Sequence, residues 1–458
     1  MPSKELVRLG SGSAHGSDLL DPSIALAESG EIDYLVFDCL SEKAILDNEV
    51  TKARGGIAWD PFQEHRMRKT IPACARTGTK IITNMGAADP GGAGMRTAEI
   101  CRELGFPQLK VVAVAGDYMI DEVRKLDPIV SETSGPASAL GDRLLAAYAY
   151  ISGQGIVQAL RMGADIVVSG RVGDSTQFLA PLIYEFDWPS DRWDILAKGQ
   201  GIGHLLECAA QLTGGYFADP PYKVVHDLHR VGFPIARVDA NGDAIITKLP
   251  GTGGLVNRLT VIEQLLYEIG DPSDYKHTDV TVDFTTTEIT DIGPNAVSVT
   301  GTTGHPKPPT VKVCLGVHEG YMGVGRVMYG GGGAHERAQL TANTLAARFE
   351  MQGMDSSKMR FDYEGVDALF AWQGHRSAPR EVRLRVAGLF PTLAEAEIIP
   401  FEMNALASCT GASGTAWGRN LEGGTTEEIV GLYTTYVPQD SVVPEVIDVT
   451  GAAESAVG

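Results

Sequence analysis

The pattern of hydrophobic positions divides the chain into two stretches with different periods. Up to about residue 185, short apolar runs alternate with amphipathic segments. Residues 6–9, 34–37, 80–83, 110–114 and 165–168 read as strands, and residues 63–77 and 95–104 read as helices. Several runs end in glycine or polar clusters: GSGSAHGSD, DCLSE, NMGAADPGGAG, AGD and SGRVGDST. Strand, polar loop, helix, strand is the order that builds a parallel sheet, and ligands of such sheets bind beyond the carboxyl ends of the strands. The clusters sit at those ends, so the site is expected there.

Helices over 195–213 and 260–269 follow. Beyond Asp271-Pro272 the period changes. VTVDFTTTEIT, AVSVTGTTG and TVKVCLGV carry Val, Thr and Phe at every second position, which predicts antiparallel strands. Four glycines at 330–333 lead into a helix over 336–351. A strand at 381–386, a helix at 393–408, a Gly/Ser loop and strands near 432–437 close the pattern. The expected fold class is α/β: an N-terminal mostly parallel sheet with flanking helices, carrying the site over residues 1–275, and a smaller α+β region with antiparallel strands over 276–458.

Composition narrows the function classes. The chain has 458 residues, 43% hydrophobic and 21% charged, which is ordinary globular usage. Its 58 acidic and 38 basic residues give a net charge of −20. A surface that acidic opposes sequence-independent nucleic-acid binding and docking on anionic membranes, both of which need basic patches. It leaves room for a small anion held by local arginine and backbone N–H groups. Six cysteines, none in CxxC spacing, suggest reduced thiols rather than a disulfide or zinc framework. The opening MPSKELVRLGSGSAHG lacks an apolar signal core, so a cytoplasmic location is expected, with the chain working as a homo-oligomer.

Four clusters carry candidate chemistry. Gly10-Ser11-Gly12-Ser13-Ala14-His15-Gly16 could bring backbone N–H groups and Ser13 to a phosphate, and Asp38 stands where a ribose-binding acid would follow it in a dinucleotide fold. Asn84 opens a second loop, in which Gly91, Gly92 and Gly94 precede an expected helix start and could hold a phosphate or carboxylate. Gly170-Arg171-Val172-Gly173-Asp174-Ser175-Thr176 crowds an arginine, an acid and hydroxyls at one strand end. Arg171 could grip an anion bidentately and Asp174 could serve as acid or base. The alternative is that Asp174 caps the next helix. Asp117 ends another strand in the same way. His204 and Glu207, three apart on one helix face, form a possible acid/base pair. No metal ligand set is expected; the P-loop and the GxSxG elbow are absent.

Taken together, the stretches RLGSGSAHGSD, ITNMGAADPGG, ADIVVSGRVGDSTQFLAPLIYEFDW, GHLLECAAQLTGGYFAD, GFPIARV, TVIEQLLYEIGDP and EVRLRVAGL resemble the acyclic terpene utilisation (AtuA) family. The resemblance runs over nearly the whole chain, from about residue 5 to 440. It implies a catabolic enzyme, a lyase acting on a small carboxylated or CoA-linked acid of terpene or branched-chain degradation. Asp174, Asp117, His204 and Glu207 are then the acid/base candidates. Arg171, Ser175, Asn84, Gly91, Gly92, Gly94 and Ser13 are the substrate-binding candidates. The cofactor is left open. Two alternatives stand beside this reading: a dinucleotide-dependent oxidoreductase using the first glycine cluster, and a non-catalytic partner subunit of an acyl-CoA carboxylase.

Overall fold

The computed structural model describes residues 4–370, 379–412, 414–415 and 424–451. They fall into two compact units. The first takes the described residues of 1–141, 146–315 and 432–458, the second those of 142–145 and 316–431.

Apolar runs without alternation need cover on both faces, and the first unit supplies it. Among the described residues, ten strands form one sheet, in the order Glu288–Gly293, Ala296–Thr300, Ala244–Lys248, Pro234–Asp239, Leu6–Ser13, Tyr34–Phe37, Lys80–Thr83, Ile166–Ser169, Val111–Ala115 and Glu445–Asp448. The five from Leu6–Ser13 to Val111–Ala115 run parallel; the flanking strands are antiparallel. Successive residues of the central strands enter different cores. Tyr34, Val36, Ile82, Val112 and Val167 pack with helices Gln154–Arg161, Thr176–Phe186 and Trp193–Glu207. Leu35, Phe37, Ile81, Val111 and Val168 pack with helices Asp21–Ser29, Gln63–Thr77 and Pro90–Glu103. This is the α/β fold with a large parallel core that the periodicity predicts. The register pairs Phe37 with Thr83, Thr83 with Val168 and Val114 with Ser169. The strands therefore end level, and the residues after them emerge along one rim.

Three boundaries differ from expectation for physical reasons. The first strand continues to Ser13, so Gly10 and Gly12 lie inside a strand rather than in a loop. A Cβ on Gly12 would stand 2.6 Å from the Phe37 ring, and one on Gly10 3.0 Å from Ile32. These glycines serve close packing, not a phosphate turn. The helix expected from 95 begins at Pro90, because Asp89 accepts from the Gly92 N–H at 2.9 Å and Pro is favoured at the first helical position. The helix expected over 393–408 breaks into Leu393–Ala396, Ile398–Ala405 and a short 3₁₀ turn. Pro400 has no N–H to give the preceding turn.

In the second unit the later part of the strand Thr310–Gly330 pairs antiparallel with Glu381–Phe390, which pairs with Arg360–Glu364. Helix Ala334–Met351 covers this sheet through Ala338, Leu345 and Phe349 packed on Val327, Leu384 and Val386. Of the period-two stretches, only the end of TVKVCLGV enters this unit; VTVDFTTTEIT and AVSVTGTTG form antiparallel strands of the first unit, Glu288–Gly293 with Ala296–Thr300 and Thr281–Asp283 with Thr303–His305. Part of the expected Gly/Ser loop, residues 413 and 416–423, lies outside the described residues. No helix among the described residues is long and apolar enough to cross a membrane.

Candidate active site

The level strand ends bring the polar clusters together. Asp38 follows the second strand and Asn84 the third. The Asn84 amide donates to Asp38 at 2.6 Å, and its carbonyl accepts from the Cys39 N–H at 2.8 Å. Asp117 follows the fourth and accepts from the backbone N–H of Arg171 at 2.6 Å. Ser13 donates to the Asp38 carbonyl at 3.0 Å. All four are buried and spend these polar atoms within the rim, on one another and on the backbone N–H groups of Cys39 and Arg171. They tie the rim rather than face a ligand. Burial pushes Asp117 up to about 6. Asp38 is driven well above the carboxylate range by burial and then by the charge of Asp174.

Arg171 is fully buried. Its guanidinium donates to the carbonyls of Leu40 and Val172 and to Asp174 Oδ1, and it lies over the Tyr150 ring at 4.5 Å. With these donors engaged, it fixes Asp174 instead of gripping an anion itself. That is the departure from the sequence reading, and its cause is that burying a guanidinium requires its donors to be satisfied by protein. Asp174 does not cap the next helix, whose N-cap residue is Ser175. Its side chain stays 36% exposed, the one member of this cluster turned outward. Burial of its surroundings raises its pKa and the Arg171 charge opposes the rise. Ser175 is buried, and its hydroxyl accepts from Gln200 at 2.5 Å.

Glu207 reaches the same place from helix Trp193–Glu207. That helix docks on Thr176–Phe186 through glycines one turn apart. A Cβ on Gly199 would meet Leu179 at 2.7 Å, and one on Gly203 would meet the Ser175 carbonyl at 2.2 Å. Their absence of side chain lets Glu207 come close to the 171–175 turn. His204 backs Glu207: its Nδ1 lies 2.9 Å from Glu207 Oε1 and its Nε2 3.3 Å from the Leu265 carbonyl. Burial lowers His204 to about 4, so the ring is neutral at pH 7 and has one N–H. The Leu265 oxygen can only accept, which places that hydrogen on Nε2. Nδ1 then accepts, and Glu207 must be the donor. The same conclusion follows from Glu207 itself, which burial, then the charges of Asp174 and Glu268, hold well above the carboxylate range.

Asp174, Ser175 and Glu207 line a cavity of about 440 Å³, closed by Glu42, Tyr150, Glu268, Tyr275, Lys276, His277, Lys312 and Tyr436 among others. Glu42 accepts from Tyr150 at 2.5 Å and pairs with Lys312 at 3.0 Å. Burial works against its charge, but these partners bring it down to about 2. His277 is held neutral, lowered to about 3 by burial, and its Nε2 has no partner. Tyr275 stands edge-on to both His204 and His277. Sequence reading singled out none of Glu42, Tyr150, His277 and Lys312. Glu42 lies in the DCLSE cluster and could have been found there. Tyr150 follows the strand Leu144–Ala149, which carries no marked pattern. His277 and Lys312 fall beyond residue 275, in the stretch read as separate from the site.

The loop 84–94 packs against the rim, with the Gly86 N–H donating to the Ser169 carbonyl at 3.0 Å, but it does not line the cavity. Gly91, Gly92 and Gly94 sit in the first turns of helix Pro90–Glu103, whose free N–H at Gly92 is taken by Asp89. Gly94 lets the helix approach Val449 and Ala113. Among the described residues no three His, Cys, Asp or Glu side chains converge as metal ligands.

Against known proteins, no curated sequence and no solved structure matches the chain. A family model does, described as acyclic terpene utilisation family protein AtuA, and it spans residues 7–447. The match includes both units and every residue of the cavity. The chain thus belongs to the AtuA family, whose description ties it to the utilisation of acyclic terpenes.

Proposed function

We propose that the protein is an acid–base lyase that cleaves a small carboxylated or CoA-linked acid in the cavity between Asp174 and Glu207. The observation that carries the reading is that two carboxyl groups share one cavity in opposite settings. Asp174 is paired with a buried guanidinium and partly exposed; Glu207 is buried, backed by a neutral imidazole and holds a proton. Environments that push two carboxyl groups apart assign the base and the acid. Asp174 takes the proton of a substrate hydroxyl. The freed electron pair forms the carbonyl, the neighbouring C–C bond breaks, and its electrons pass to the carbon that Glu207 protonates. Lys276 and Lys312 supply positive charge on the wall. A cavity of this size lies within the range of small-molecule sites, roughly 300–1,000 Å³, and suits the acyl portion of a thioester.

The test is turnover of a panel of 3-hydroxy acids and their CoA thioesters by the purified chain. With a substrate found, Asp174→Asn is expected to lower kcat by about 10²–10⁴-fold, the usual contribution of a positioned acid or base. A variant working at the wild-type rate would remove Asp174 from the chemistry.

A further inference from the structure

The acid and base assigned above leave one need unmet: a donor for the charge that develops between them. Tyr275 stands where such a donor belongs. It opens the short strand Tyr275–Lys276, which pairs antiparallel with Thr281–Asp283, Tyr275 opposite Val282. Its half-buried ring lies edge-on to His204 at 5.5 Å and to His277 at 4.5 Å, and tilted against Phe284 at 5.8 Å. Phenylalanine would pack there equally well, so the hydroxyl needs its own reason. Among the described residues it has no hydrogen-bond partner, although Glu207, Glu268 and Asp174 lie close enough to act on it electrostatically. A buried tyrosine usually gives its O–H to something. The other donors of the cavity are engaged: Tyr150 and Lys312 with Glu42, Lys276 with Asp274, and the Thr278 hydroxyl with the Tyr150 carbonyl. His277 Nε2 is sealed within the wall, whereas the Tyr275 hydroxyl reaches open space in the cavity that its side chain lines. Tyr436 also lacks a protein partner, but it is 53% exposed and open to water.

We propose that Tyr275 is a third catalytic residue, whose hydroxyl donates a hydrogen bond to the enolate oxygen formed when the substrate C–C bond breaks. The proposal rests on the lyase reading and narrows its substrate class to acids or thioesters with the hydroxyl on the carbon β to the acyl carbonyl. Asp174 takes the hydroxyl proton, and the O–H electron pair becomes the new carbonyl. The C–C electron pair moves through the α-carbon onto the acyl oxygen, where a preorganised donor is worth most. Glu207 then protonates the α-carbon and the pair returns from oxygen. Tyr275 keeps its proton throughout. Burial, then the negative charge of Glu268 and Asp174, raises the pKa of the phenol, which therefore stays O–H.

Tyr275→Phe removes the hydroxyl and keeps the ring. The first probe needs no turnover: ionised 3-nitropropionate, whose planar nitronate carries its charge on oxygen as an enolate does, with propionate as the control. Calorimetry with the full chain is expected to show the nitronate binding about tenfold or more weakly to Tyr275→Phe than to wild type, with propionate unaffected. With a substrate found, Tyr275→Phe is expected to lower kcat by about 10²–10³-fold at little change in KM. No nitronate binding to wild type, equal affinity in the two proteins, or an equal loss of propionate would each overturn the proposal. Turnover lost in Asp174→Asn but kept in Tyr275→Phe would overturn it while leaving the lyase reading in place. Turnover kept in Asp174→Asn would remove that reading, and the role of Tyr275 with it.

Discussion

The loops 84–94 and 170–176 carry the same signal, glycines and an aspartate at the end of a central parallel strand, and the fold uses them in opposite ways. In the first, Asp89 turns onto its own helix start and takes the Gly92 N–H, so the loop's charge and donors satisfy each other. In the second, the helix is capped without Asp174. A buried arginine holds that carboxylate, and its outward side meets a cavity. Glycine-rich strand ends are thus a guide to where a site can form. Which of them forms it depends on whether the acid is consumed locally.

The largest effect that would break the comparison is expected from Gly203→Ala. Its Cβ would meet the Ser175 backbone carbonyl, which cannot move as a flexible side chain would. Overpacking of this kind costs about 1–3 kcal/mol or more, and the helix must shift, carrying Glu207 away from the 171–175 turn. Thermal unfolding should show the loss, and turnover should fall with it. The corresponding change in the other loop, Gly94→Ala, meets only the ends of Val449 and Ala113 side chains and should cost less.

Next in size is a pH effect. Asp117 is raised from 3.8 to about 6, so its native form resists ionising. A raised acid contributes stability that is present below 3.8 and is lost as pH rises through about 6. Integrated over two units, this is of order 3 kcal/mol. Asp117→Asn should therefore flatten the fall of stability between pH 4 and 6 when denaturant midpoints are compared. His204 works in the other direction: lowered to about 4, it contributes stability above pH 6.5 that is lost as pH falls through 4. Comparing Asp117→Asn with wild type cancels that term.

The smallest effects sharpen the contrast. Asp89→Ala removes a cap and should cost about 1 kcal/mol while leaving the kinetics unchanged, since the loop faces no ligand. Gly91→Ala has open space around its Cβ, 3.7 Å from Asp89, and lies in a helix. It should be neutral or stabilise by up to ~1 kcal/mol. A kinetic defect in either variant would show that the two loops share the site after all.

Much of this layout was legible in the chain. Four of the five parallel strands, 34–37, 80–83, 166–169 and 111–115, show as short, mostly apolar runs without alternation, because burial on both faces leaves nothing to alternate; the first, LVRLGSGS, does not. The polar cluster and the i, i+3 pair single out Asp174, Ser175 and Glu207, which the fold brings to one cavity. The task of Arg171 was not: a sequence shows an arginine beside an acid but not the carbonyls of Leu40 and Val172 that consume its donors. Gly10 and Gly12 misled for a similar reason. A GxG run in a strand and one in a phosphate turn look alike until the partner, here Phe37, is known. His277 and Lys312 come from a stretch whose changed period suggested separation. Both belong to the first unit, one segment of which runs from Ala146 to Leu315.

The account rests on Glu207 holding a proton at neutral pH while Asp174 does not. Infrared difference spectroscopy of wild type against Glu207→Gln reads this directly. The predicted result is a protonated-carboxyl C=O band, present in wild type at neutral pH and missing from the variant. A difference spectrum showing the loss of a carboxylate band instead would mean that Glu207 is ionised, and the assignment of acid and base would fail.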